Sequence, residues 1–387
     1  MAPPDNRAPE SYTGLRQLEA GLPSHYYYDA AHYERELQAI WYRSWVYLCR
    51  AASLPGPQSF RTFRIGTQGI LVVRDESGAL RAFHNTCRHR GSALCSAAEG
   101  KLRAKAITCP YHGWSYNLQG CLSAVPALGM SGDFDRRNYS LYDIALQEWG
   151  GLVFVNLAGD ATPLAAALRP NAERLANWPM ADLVTGHVMR KTLACNWKIF
   201  WENFSECYHC PGIHPELVSI VPIYGRSIMN QFDDPNFARH REDPDPKYRG
   251  GLRAGALTWS MDGQTAGAPF PGLTAEERAA GHRFVTSWPT LYAVGHVDYM
   301  RVVSMRPLGP EETELTAEWL FPAETLADPA FNLENAVKLA RLVIEQDGAI
   351  CEVNQRGLRS LAHRQGVLMP QEYAVHAFQQ WVRRSLA

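Results

Sequence analysis

A chain of 387 residues with 46% hydrophobic and 20% charged residues has the length for two hydrophobic cores and the composition of an ordinary soluble protein. Its formal net charge of -1 argues against bulk electrostatic attraction to nucleic acid or to an anionic membrane. No run of about 18 apolar residues is present, so no membrane span is expected, and the opening MAPPDNRAPESYTGLRQLEAG has no apolar core of a secretory signal. The nine cysteines are odd in number and cluster in two places, which fits a reducing cytoplasm with some thiols committed to metal.

In chain order, residues 1–23 read as a loose leader. From Asp29, an N-cap by residue type, DAAHYERELQAIWYRSWVYL predicts an amphipathic helix leading into a strand near Trp45–Cys49. Leader and helix together are assigned to residues 1–45. The short β-type runs FRTFRI, GILVVRD, AITCPY and GLVFVNL, punctuated by Gly, Asp or Asn, predict a small all-β domain over 46–160.

After GDATPLAAALRP the pattern becomes α+β over 161–387. MRKTLACNWKIFWENFSECYHC predicts a strand feeding a helix, and TSWPTLYAVG, DYMRVVSMRPLG and TELTAEWLFP predict antiparallel strands. Asp328-Pro329 offers a cap and first turn for a long helix running to about Arg356. The Gly-, Pro- and Asp-rich stretch 228–282 is expected to be loops and surface insertions.

Two groups of residues carry chemistry. CRHRG and CPYHGW supply Cys87-x-His89 and Cys109-x2-His112, a thiol and an imidazole on each of two short loops. A zinc site with two Cys and two His usually pairs like with like, whereas a Rieske two-iron, two-sulfur cluster takes two Cys on one iron and two His on the other. The mixed halves favour the cluster over zinc. Replacing two thiolates by neutral imidazoles places such a cluster at roughly -150 to +300 mV, suited to passing single electrons.

The second group lies in ENFSECYHCPGIHPEL. Continued as a helix, it would bring Asn203, Glu206 and His209 to one side, and the Pro211-Gly212 break would let His214 turn back toward His209. A third ligand is available on the C-terminal helix, where Asp347 falls on the apolar face with Ala336, Leu339, Val343 and Ile350, while Glu345 and Glu352 fall on the polar face. A carboxylate on a buried face costs several kcal/mol unless a cation compensates it. Two His and one carboxylate form the facial triad of non-haem Fe(II) oxygenases.

In this order and on this length, the two groups resemble the oxygenase α-subunits of Rieske non-haem iron oxygenases, and within them the betaine and carnitine oxygenases. The resemblance runs from about residue 25 to the end. It implies a Rieske β domain followed by a helix-grip catalytic domain. Cys87, His89, Cys109 and His112 would hold the 2Fe-2S cluster, and His209, His214 and Asp347 a mononuclear Fe(II). Glu206 would be the relay between subunits of a ring-shaped homotrimer, and Asn203 would stand beside the iron. The expected activity is O2-dependent hydroxylation of a quaternary ammonium compound, with oxidative N-demethylation as one outcome. A ring hydroxylase of aromatic acids is the alternative, and a cluster-only electron carrier or a zinc module are remoter ones.

The chain has no dinucleotide fingerprint and no second cysteine set of ferredoxin spacing, so a separate flavin and iron-sulfur NAD(P)H reductase is expected. Neither nucleic acid nor membrane is expected as a partner. Cys49, Cys95, Cys121, Cys195, Cys207, Cys210 and Cys351 are expected to act as small buried hydrophobes. Trp201, Phe204, Tyr208, Trp288, Tyr292, Tyr299 and Trp319 sit in segments suited to a pocket, with none singled out.

Overall fold

The structure, a computed structural model, describes residues 11–126, 133–169 and 171–387. The chain divides into two compact units, Trp41–Ala167 on one hand and Leu168–Ala387 with the residues up to Ile40 on the other. The expected leader-and-helix segment 1–45 is therefore shared out, most of its described part belonging to the C-terminal unit. Residues 1–10 of the leader lie outside the described residues. The remainder is not loose: the strand Glu19–Pro23 pairs antiparallel with Gln365–Leu368. The helix Ala30–Glu36 begins where expected, Asp29 accepting a hydrogen bond from the His32 amide at 2.7 Å. At its end Glu36 is fully buried against Lys198 and accepts from the indole of Trp197 at 2.8 Å.

The unit Trp41–Ala167 is all-β, a seven-stranded antiparallel sheet beside a three-stranded one of Ala106–Thr108, Ser115–Asn117 and Leu122–Ala124. Alternating residues of the strands fill a core in which Phe60, Leu71, Phe83, Ile107 and Tyr116 surround Cys87 and Cys109. Each such large side chain contributes about 1.5–3 kcal/mol by leaving water. The first cysteine loop follows the strand Leu80–His84, and the second joins Ala106–Thr108 to Ser115–Asn117.

The C-terminal unit is an antiparallel sheet in the order Val184–Leu193, Glu312–Phe321, Met300–Gly309, Leu291–His296, His282–Ser287. Against it packs the long helix Leu333–Leu358, giving the helix-grip arrangement. Gly348 allows that approach, since a Cβ there would lie 2.8 Å from Leu193 Cδ2. The helix starts later than Asp328-Pro329. Asp328 instead closes the helix Ala323–Ala327 and turns on itself by accepting from the Ala330 amide at 2.8 Å, and Asn332 caps the long helix through the Asn335 amide at 3.1 Å. Both are short polar residues that cap helices equally well, and only the intervening turn distinguishes them. Among the described residues, no helix is long and apolar enough to cross a membrane.

Candidate metal centres and active site

The two cysteine loops are near copies of one another. The Cys87 amide donates to Ser92 O at 2.8 Å and Gly91 N to Cys87 O at 2.9 Å; the Cys109 amide donates to Trp114 O at 2.8 Å and Gly113 N to Cys109 O at 3.1 Å. Gly91 and Gly113 close the two turns with φ of 74° and 71°, a conformation that L side chains rarely adopt. The thiols of Cys87 and Cys109 point into the core, whereas His89 is exposed and His112 half-buried. The two imidazoles meet edge to face with ring centroids 4.6 Å apart, and His89 stacks on Trp114 at 4.9 Å.

Burial by itself would raise the Cys109 pKa, yet it is lowered, because the amides of Tyr111 and His112 and the Cys87 thiol donate toward it. Tyr116 Oη lies 3.3 Å from Cys87 Sγ. Two buried cysteine sulfurs and two imidazoles nearer the surface are the donors that a Rieske 2Fe-2S cluster would take. A mixed donor set of this symmetry fits the 2Fe-2S group better than a tetrahedral zinc.

His209, His214 and Asp347 also come together. His209 Nε2 is 3.1 Å from His214 Nε2, and Asp347 Oδ1 is 2.8 Å from His214 Nε2 and 3.4 Å from His209 Nε2. The other ring nitrogens are committed: His209 Nδ1 donates to Glu206 Oε1 at 2.6 Å, and His214 Nδ1 donates to Gln346 Oε1 at 2.7 Å. With both Nδ1 atoms as donors, the neutral tautomers turn two lone pairs and a carboxylate oxygen toward one point. Three acceptors converging in a buried site repel unless a cation lies between them, which is the requirement of a metal centre.

Without a metal, a proton on His209 supplies the positive charge this point calls for: burial lowers its pKa, but the carboxylates of Asp347 and Glu206 outweigh that and raise it to about 9, so a metal binding here displaces that proton. Burial would raise Asp347, and the two imidazoles hold it below its ordinary value. Asn203 stands beside the group with Nδ2 3.4 Å from His209 Nε2, and its buried Oδ1 has no partner.

The local backbone differs from the expected single helix. The helix Trp197–Phe204 stops before Glu206, whose carboxylate then caps the turn, accepting from the Tyr208 and His209 amides. Pro211 does not end a helix but sits in the first turn of a new one, Cys210–Ile213, where its missing N–H is harmless. A second proline, Pro215, repeats this at Pro215–Ile220 and leaves His214 as the linking residue. The two histidines converge because two short proline-started helices meet there.

Cys207 and Cys210 are bonded as a disulfide around His209, a correction to their expected role as separate buried hydrophobes. Cys121 is exposed and Cys95 only partly buried, while Cys49, Cys195 and Cys351 are buried as expected. Cys210 Sγ is 4.0 Å from His209 Nε2, but as a disulfide sulfur it offers no thiolate, so Asp347 is the better third donor.

A small cavity of about 50 Å³ adjoins all three donors and is walled by Phe204, Tyr224, Trp259, Phe284 and Tyr292. A larger one of about 300 Å³ touches His209 from the other side, past Glu202 and Glu206, without reaching His214 or Asp347. Of the aromatics in the sequence-selected segments, Phe204 and Tyr292 line the smaller cavity, stacked at 3.6 Å. Trp201, Tyr299 and Trp319 are core, Trp288 packs on Phe378 and Trp381, and Tyr208 is exposed. Trp259 was not to be expected from 228–282 read as surface loops: it is 3% exposed. Sparse apolar residues between turns show no period, so nothing in that stretch signals burial.

Comparison with known proteins points to the same two kinds of iron group. Residues 44–137 match the Rieske 2Fe-2S domain, and residues 171–387 match the ring hydroxylating alpha subunit (catalytic domain). The chain is 30% identical to the glycine betaine monooxygenase oxygenase subunit of Chromohalobacter salexigens, over 95% of this chain and 86% of that one. It is 29% identical to the carnitine monooxygenase oxygenase subunit of Acinetobacter pittii, over 94% and 92%. In fold it is similar to the quaternary ammonium Rieske monooxygenase CntA in complex with L-carnitine, at a TM-score of 0.70 and 23% identity over 96% of each chain. It is also similar to naphthalene 1,2-dioxygenase from Rhodococcus sp., at a TM-score of 0.72 and 20% identity over 95% and 94%. The chain belongs to the ring-hydroxylating α-subunit family of Rieske oxygenases, with a 2Fe-2S cluster domain followed by a mononuclear-iron catalytic domain.

Proposed function

We propose that this chain is the oxygenase component of a two-component system that hydroxylates a small quaternary ammonium compound, with N-demethylation as the outcome at an N-methyl carbon. Relatives named for glycine betaine and carnitine support that substrate class. The carrying observation is the aromatic-walled cavity set directly against the His209–His214–Asp347 group. Aromatic faces attract a cation that cannot donate hydrogen bonds, by about 0.5–2 kcal/mol per well-placed ring.

In this reading Cys87, His89, Cys109 and His112 hold the cluster, and His209, His214 and Asp347 hold the mononuclear iron. When bound, the two groups supply single electrons and the activation of O2 for insertion into a C–H bond. The chain's own residues arrange the rest. Gln346 fixes the His214 tautomer, leaving Nε2 as the lone pair that would bind the metal. Glu206 takes the Nδ1 proton bond of His209 and is the route by which charge reaches the site. Asn203 orients polar groups beside His209. The aromatic walls hold the N-methyl group toward the three donors and exclude water.

One oxygen atom enters the methyl C–H as a hydroxyl, and the other leaves as water with two electrons and two protons. The N-hydroxymethyl product then releases formaldehyde and a proton, leaving the tertiary amine. The electrons come from a separate NAD(P)H reductase, in keeping with relatives named as oxygenase subunits. The chain works as a cytoplasmic homotrimer, with Glu206 linking neighbouring subunits; one related structure is described in terms of inter-subunit electron transfer.

Iron counting with O2 uptake tests this reading. Purified protein should carry three irons per chain and Asp347→Ala two, with the cluster spectrum unchanged. Uptake should rise with betaines and not with benzoate. Three irons in Asp347→Ala would remove the ligand assignment, and uptake stimulated by benzoate alone would remove the substrate class.

A further inference from the structure

The sheet strand Met300–Gly309 carries a buried cation, Arg301, that has no ion-pair partner among the described residues. Arg301 is 3% exposed, and its Nε and Nη1 atoms are buried with no hydrogen-bond partner. Among the described residues no carboxylate forms an ion pair with it. Asp298, three positions earlier, is occupied elsewhere, accepting from Thr258 Oγ1 at 2.8 Å and from the Ala266 amide at 2.7 Å.

Arg301 pairs with Val294 and Trp319 across the sheet, and the register places its side chain on the same face as Tyr292 and Phe284. All three line the cavity that holds His209, His214 and Asp347. Its guanidinium carbon lies 5.8 Å from the centre of the Trp259 ring. That contact offers about 0.5–2 kcal/mol, less than the several kcal/mol lost when an unpaired charge leaves water.

Two further polar groups nearby are equally unused. His282 Nδ1 and both ring nitrogens of His296 are buried without partners, and their rings lie 4.9 and 5.6 Å from that of Trp259. Burial, with the charge of Arg301 beside it, pushes His282 down to about 4 and His296 well below its ordinary range. Both are neutral donors near pH 7, and Arg301 is the cation of this corner.

We propose that Arg301 anchors a carboxylate-binding subsite in the catalytic cavity. A carboxylate is the ligand chemistry that matches a planar guanidinium fork with two parallel hydrogen bonds. This rests on the reading of the cavity as the substrate site. Joined to the aromatic walls, it makes the substrate a zwitterion, its cationic nitrogen against Phe204 and Tyr292 and its carboxylate against Arg301. An amino alcohol cation of the same size would meet an uncompensated guanidinium and be rejected by like charge.

Direct binding to the protein carrying both metal groups, reduced and without O2, tests the subsite by calorimetry. Three probes share one shape: glycine betaine has both charges, choline only the cation, and 3,3-dimethylbutyrate only the anion. The wild type should bind glycine betaine on the order of 100-fold more tightly than choline, and Arg301→Gln should lose that factor while choline changes by less than about threefold. Arg301→Lys, which keeps the charge without the fork, should fall between. Equal binding of betaine and choline by the wild type, a comparison independent of any variant's folding, would overturn the subsite, as would unchanged betaine affinity in a folded Arg301→Gln. Binding of 3,3-dimethylbutyrate as tight as betaine, and lost in Arg301→Gln, would support the subsite while removing the cation reading above.

Discussion

His214 and Gln346 are joined by a hydrogen bond of 2.7 Å in which the ring Nδ1–H donates to the amide oxygen, and this leaves Nε2, 2.8 Å from Asp347 Oδ1, as the free lone pair. Gln346 is itself held, its Nε2 donating to Glu216 Oε2 at 3.2 Å. Gln346→Leu should lower mononuclear iron affinity by about 10–100-fold, the usual effect of losing an outer partner of a ligating histidine. The ratio of total iron to cluster absorbance after mild chelation measures it, and an unchanged ratio would show that the ring is oriented without Gln346.

Glu206 accepts from His209 Nδ1 at 2.6 Å and also caps the turn that carries His209. Glu206→Gln keeps an acceptor for the imidazole but removes the charge. It should retain three irons per chain while cluster reoxidation in a single turnover slows by at least ~100-fold, the scale of losing a positioned proton-transfer group. Stopped-flow absorbance of the cluster band reads the rate, and a wild-type rate would contradict the relay role.

The segment before the catalytic helix is held by a buried pair. Lys198 and Glu36 are both 0% exposed, and Trp197 Nε1 donates to the same carboxylate at 2.8 Å. Lys198→Met leaves Glu36 with only the His32 ring, 3.2 Å away, to offer a positive charge and should destabilise the protein by about 3–5 kcal/mol. Adding Glu36→Leu should restore much of the loss, because two apolar groups need no mutual compensation. Denaturant unfolding of the single and double variants decides this, and additive losses would contradict it.

Glu202 gives a pH dependence. Burial pushes its pKa from 4.5 up to about 7, against the opposing hydrogen bonds from Tyr27 and Gln379. The folded state therefore holds this proton more tightly than the unfolded state does. The associated stability is present below pH 4.5 and is lost as pH rises through about 7. Glu202→Gln should remove that loss, so the variant gains on the wild type by on the order of 3 kcal/mol between these limits. Unfolding curves at both ends check the sign; a difference that does not change with pH would contradict it.

Much of this molecule is legible in its sequence where short-range chemistry decides. The Cys-x-His and Cys-x2-His spacings, each followed by a glycine that closes a tight turn, mark the two loops proposed to hold the cluster. Asp347 is legible because a carboxylate on an apolar helix face calls for a cation. Glu206, His209 and His214 are legible as a set, but not the route that joins them, since Pro211 and Pro215 start helices where a helix stop was expected. Trp259, Arg301 and Gln346 carry no local signal. Arg301 occupies one position in an alternating strand, and only the packing of the helices over that face turns it into a buried charge beside the site.

The most direct test of the account is product identification from one turnover. The fully reduced protein is freed of reductant, mixed with O2 and glycine betaine, and assayed for formaldehyde and the demethylated amine. Both should appear in equal amounts, approaching one per mononuclear iron, and neither from Asp347→Ala. A hydroxylated product from an aromatic acid under the same conditions, with no formaldehyde from any betaine, would contradict it.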